Sequence, residues 1–157
     1  MPSPTFAQNM KNAILTDLQS LVTAGVLGSC AADDFTKLNP LDRTWGAFPS
    51  AVVIPPTVST SEYYDVATNL REYTWYVMVI TTPENLSATD PTYLEGLIDN
   101  VLQAFDNDVT LQGTAVGGVQ PAILDPPGPV SSNSVTYVCF YITIKAKGLV
   151  PAAVQIN

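Results

Sequence analysis

The sequence predicts an α+β fold: a mixed or antiparallel sheet of about four to six strands, with two main amphipathic helices packed on one face. Three observations carry this. Two stretches repeat apolar residues every three or four positions, at 10–22 and 94–105. Two others, 70–82 and 135–146, are dense in aromatic and β-branched residues. The segments alternate helix, strand, helix, strand, and no repeat of 20–50 residues is present. With 157 residues, the chain suits one domain, since domains most often run about 100–150 residues. Its core is expected over 5–147, with 148–157 as a C-terminal tail.

The first helix is expected from Thr5 to Ala24. Met10, Ile14, Leu18, Leu21 and Val22 stack on one face, and Gly25 and Gly28 are stop signals, because glycine accepts the left-handed conformation of a helix end. From Ser29 to Ser50 no period is legible, and Asn39-Pro40 and Phe48-Pro49 punctuate the stretch. Trp45 and Phe48 are bulky anchors within it. Ala51-Val52-Val53-Ile54 reads as a short strand stopped by Pro55-Pro56, neither of which can donate to a ladder. Thr57 to Thr68 reads as a loop or short edge strand.

Leu70 to Thr82 is a long strand. Tyr73, Trp75, Val77 and Val79 take one face, and Thr74, Tyr76, Met78 and Ile80 the other. Both faces are largely apolar, so the strand is covered on both sides or meets a partner subunit on one. After a turn from Pro83 to Thr89, Asp90 suits the N-cap and Pro91 the first position of a second helix. Its stripe is Leu94, Leu97, Ile98, Val101, Leu102 and Phe105, with Gly96 read as a point of close packing. Val109 to Leu111 and Val119 to Leu124 are expected short strands, the latter at an edge or a bulge because of Pro121. Asp125 to Pro129 is a rigid loop. The last strand runs from Val135 to Ala146, with Gly148 ending it.

Composition excludes several functions. Six Lys plus Arg against fourteen Asp plus Glu leave a net charge of −8, a poor basis for phosphate neutralisation, so no sequence-specific nucleic-acid binding is expected. There is no histidine, which removes Ser–His–Asp and Cys–His triads and histidine-ligated metals. No apolar run reaches the roughly 18 residues of a membrane helix, so no membrane partner is expected. The N-terminal MPSPTFAQNMKN lacks the apolar core of a secretory signal, so synthesis in the cytoplasm is expected. Cys30 and Cys139 read as two reduced, buried thiols; a disulfide requires the fold to bring them within Cα reach.

No phosphate-cradling Walker loop, GxGxxG or G-x-S-x-G elbow is present. Asp33-Asp34 and Asp106-Asn107-Asp108 are the candidate cation ligands or acid–base groups, but calcium-loop spacing is absent and solvated loop carboxylates are the plainer reading. No catalytic residue, cofactor or metal is therefore expected, and the chain reads as an interaction protein, not an enzyme. The aromatic residues Tyr73, Trp75, Tyr76, Tyr137, Phe140 and Tyr141 suit a core or an interface better than a stacking platform. Tyr73, Trp75, Tyr137 and Tyr141 are the expected subunit-contact residues.

The element order resembles that of the tail terminator (tail-completion) proteins of long-tailed bacteriophages. The resemblance lies in the Met10–Val22 helix, the proline-led strand Phe48-Pro49-Ser50-Ala51-Val52-Val53-Ile54, the Arg71-Glu72-Tyr73 start of a long strand, the Leu94–Phe105 helix and the final long strand. It implies a structural virion protein forming a hexameric ring that caps the tail tube. The ring ends tube polymerisation and joins the tail to the head, with the tube protein and a head-closure or neck protein as partners. Another phage ring component (tail tube, head closure or neck) and a small ligand- or metal-binding domain are the alternatives.

Overall fold

The structure is a computed structural model and describes residues 6–33, 45–65, 68–83, 93–132 and 134–151. The elements are α1 (Phe6–Thr23), β1 (Ser29–Ala32), β2 (Ser50–Asp65), β3 (Thr68–Thr81), α2 (Tyr93–Asp106), β4 (Val116–Ser132) and β5 (Val135–Pro151). The strands form one five-stranded sheet in the order β1-β2-β3-β5-β4. β1 runs parallel to β2 and every other pairing is antiparallel, so the sheet is mixed and the fold is α+β.

Helix α1 buries Met10, Ala13, Ile14, Leu18 and Leu21. Gly25, at φ +80°, closes it: its N–H donates to Val22 O at 3.1 Å, and Val26 N–H donates to Leu21 O at 2.9 Å. Those two bonds satisfy carbonyls that the helix end would otherwise leave open. Gly28 serves a different purpose from the stop expected of it. A Cβ there would lie 2.6 Å from the carbonyl carbon and oxygen of Ala47, so only glycine admits that backbone. The close approach seats β1 beside the start of β2, where Ser29 Oγ donates to Ala47 O at 2.8 Å.

No strand is expected at Ser29–Ala32, yet its four residues pair with Ser50–Val53. β2 is also longer than its prolines predict. The strand passes Pro55-Pro56 by a register shift, from Ile54↔Tyr76 to Thr57↔Thr74, and continues to Asp65. Among the described residues β1 accompanies only Ser50–Val53 of β2, so the prolines sit beyond that pairing. Residues 57–65 are thus strand, paired antiparallel with β3.

On α2, Leu97, Val101 and Phe105 are buried. The expected cap at Asp90 and Pro91 lies outside the described residues. Gly96 is exposed, and no described residue lies within 4 Å of an added Cβ, so the close packing expected there is not found among the described residues. Residues 109–111 belong to a turn, not a strand. Leu111 is fully buried with φ +46°, and Gln112 follows at φ +57°. The anchored leucine commits the backbone to the left-handed region, where a ladder cannot form.

β4 is an edge strand, which accommodates Pro121, Pro126, Pro127 and Pro129 with register shifts at 123–125 and 125–128. The loop expected at 125–129 is thereby part of the strand. β5 likewise runs through Gly148, where a Cβ would lie 3.1 Å from Met10 Cε. That glycine makes room for α1 and does not end the strand.

Both helices pack on one face of the sheet. That core holds Ala51, Val53, Tyr73, Trp75, Val77, Val79, Phe140, Ile142, Ile144 and Ala146 against Met10, Ile14, Leu18, Leu97, Val101 and Phe105. The alternate residues of the same strands form a smaller cluster, Val52, Met78, Ile80 and Cys139, on the opposite face.

Candidate assembly surface

The side-chain period of two along β3 and β5 gives each strand two apolar faces, and the described helices cover only one. The other face has three zones. At the Ser50 end, Trp45, Phe48 and Tyr137 gather over Val52, Ile80 and Cys139. Their ring centroids lie 6.1, 6.3 and 6.1 Å apart at tilted angles, within the range of favourable aromatic pairs. Farther along, Ile54, Tyr76, Leu124, Asp125 and Tyr141 line a shallow hollow of about 280 Å³. Ile54, Tyr76 and Tyr141 are half-buried and Leu124 is 52 % exposed. Beyond the hollow the face turns polar: β5 places exposed Lys145 opposite Thr74, and exposed Lys147 opposite Glu72.

The four aromatic residues expected at a subunit contact divide between the two faces. Tyr73 (3 % exposed) and Trp75 (2 %) face the helices and belong to the core. Even-numbered positions of β3 and odd-numbered positions of β5 share the uncovered face, so Tyr137 and Tyr141 lie there. Ile54, Tyr76 and Leu124, which join Tyr141 in the hollow, were not singled out as contact residues. The register could have identified Tyr76, since Tyr76 sits on the Met78 and Ile80 face in any strand. Leu124 could not be placed, because the β4 register shift turns it.

Burial, then the neighbouring Cys139 and Asp125, push the Tyr141 phenol upward, so it stays a neutral O–H in an apolar setting. Burial also pushes the Cys139 and Cys30 thiols up, which disfavours the reactive thiolate. Both cysteines are free, and they belong to clusters on opposite faces of the sheet. Cys139 is buried as expected, while Cys30 is half-buried, with Sγ 3.6 Å from Gln19 Oε1.

The candidate carboxylates do not converge. Asp33 leaves β1 with its N–H bonded to Val53 O at 2.8 Å, and Asp34 lies outside the described residues. Asp106 is exposed at the end of α2. Asp108 faces Asp17 of α1. Among the described residues no group of three or more Asp, Glu or Cys is placed to hold a metal ion, and no helix is long and apolar enough to cross a membrane.

No protein-family model matches the chain, and no curated protein matches it. Among solved structures it is similar to a chain of the "Virion of native gene transfer agent (GTA) particle", at 15 % identity over 88 % of this chain and 93 % of that one, with a TM-score of 0.45. A likeness this distant implies neither family membership nor activity.

Proposed function

We propose that this chain is a structural protein of a long-tailed phage particle. It forms a homo-oligomeric ring, hexameric in the family it resembles, on the head-proximal end of the tail tube. The ring stops tube growth and offers its other side to a head-closure or neck protein. It works by binding alone, with no cofactor and no catalysis. The observation that carries this reading is the sheet face that no described helix covers, where an aromatic cluster adjoins an apolar hollow with an exposed Leu124 at its rim. Exposed apolar patches rimmed by polar groups mark contact surfaces, and a ring needs such a surface to meet a different one on the next copy. The same order of elements supports the tail-terminator assignment over an unspecified assembly role.

Counting copies per particle by quantitative mass spectrometry tests the position. A terminator contributes one ring, so its count is expected to match that of other single-ring proteins. A count that scales with tail length would make the chain a tube protein instead.

A further inference from the structure

We propose that Asp17 and Asp108 share a single proton, forming a latch that ties α1 to the turn leaving α2 and that loosens when the proton is lost. Asp17 Oδ2 and Asp108 Oδ2 are both buried, and neither meets a donor among the described residues. The two side chains are nonetheless within hydrogen-bonding reach of each other. Two carboxylate oxygens in that relation are satisfied only if one carries the proton and donates to the other, because ionised carboxylates accept and cannot donate.

The surroundings favour this arrangement. The two side chains both line a cleft of about 380 Å³ between the helices. From α1 the cleft is lined by Ser20 and Leu21, and from α2 and its exit by Asn100, Gln103 and Asn107, all neutral. Among the described residues, Asp17 and Asp108 are thus the titratable groups lining it, and no Lys or Arg lines it to balance a second negative charge. Asp108 is held in place from the other side: its Oδ1 accepts the Gln112 N–H at 2.9 Å. The left-handed pair Leu111 and Gln112 aims that N–H, and the fully buried Leu111 fixes the pair.

Burial first, then the hydrogen bond and the charge of Asp108, raise Asp17 from 3.8 to about 7, against a smaller opposing bond from Gln112. The direction of the linkage follows. A carboxyl whose folded-state value lies above its unfolded one binds more protons when folded, so stability falls as pH rises between the two values. The latch stabilises fully below about pH 4 and is lost as pH rises through about 7. The proton goes to solvent, and two adjacent charges then push α1 and the turn apart. Because the pair is partly solvated, the folding equilibrium constant is expected to fall roughly tenfold from this source, far less than the full shift would give.

The test is urea unfolding of the full chain across pH 4–8, comparing wild type with Asp17→Asn and Asp108→Asn. An asparagine amide donates to the remaining carboxylate at every pH. Either variant is expected to flatten the pH dependence and to be roughly tenfold more stable than wild type at pH 8, relative to pH 5. A carbon NMR titration of the wild-type aspartate carboxyls supplies a readout independent of folding. One carboxyl titrating with a midpoint near 7, and absent in Asp17→Asn, supports the shared proton. All aspartates titrating near 4, or identical pH slopes in all three proteins, would overturn it.

Discussion

Phe105→Ala is expected to cost about 3–5 kcal/mol, the range for removing a large aromatic side chain from a packed core. Phe105 is fully buried in the last turn of α2 and belongs to the cluster that joins both helices to the sheet. Removing its ring leaves a cavity in a close-packed cluster drawn from both helices and the sheet, which relaxes only in part. A domain's whole stability is about 5–15 kcal/mol, so this one substitution removes a large part of it. In urea unfolding the midpoint should fall with the slope unchanged, because the surface exposed on unfolding is nearly the same. A cost below about 1 kcal/mol would show that α2 does not pack as described.

Leu124→Glu is expected to do the reverse: little to the fold and much to assembly. Leu124 is 52 % exposed on the edge strand, so the isolated chain should change by about 0.5 kcal/mol or less. If the uncovered face meets the next subunit, a carboxylate placed in its apolar hollow is buried without a partner. Asp125 already stands beside it, which adds like-charge repulsion. Ring formation, followed by analytical ultracentrifugation with tube ends present, should weaken by at least about tenfold, which is about 1.4 kcal/mol. Wild-type assembly by Leu124→Glu would move the subunit contact away from this face. Tyr141→Phe is the matching mild change, and should leave both fold and assembly nearly intact.

The two substitutions also mark what was legible in the sequence. Phe105 could be placed in the core from spacing alone, because six apolar residues at helical intervals have one face to occupy. The alternation of β3 likewise separated Tyr73, Trp75, Val77 and Val79 from Met78 and Ile80. Which of those faces the helices cover was not legible, because both are apolar. That is why Tyr73 and Trp75 were grouped with Tyr137 and Tyr141 as contacts.

Strand length was hidden by proline. A local rule ends a strand at Pro55-Pro56 and makes a loop of Asp125–Pro129. Pairing partners on only one side let both segments remain extended, through shifts in register. The glycines misled for a similar reason: Gly28 and Gly148 answer to Ala47 and Met10, residues far away in sequence. The Asp17–Asp108 pair shares that cause, since no spacing along the chain announces a contact between one helix and the exit of another.

The central claim is that this chain ends the tail. It is tested most directly by negative-stain electron microscopy of lysates from the encoding phage with this gene deleted. The account predicts overlong tails, unattached, beside filled heads, and their restoration to normal length and attachment when the wild-type chain is supplied in trans. Normal infectious particles in the deletion lysate, or heads with no tail tube at all, would contradict it.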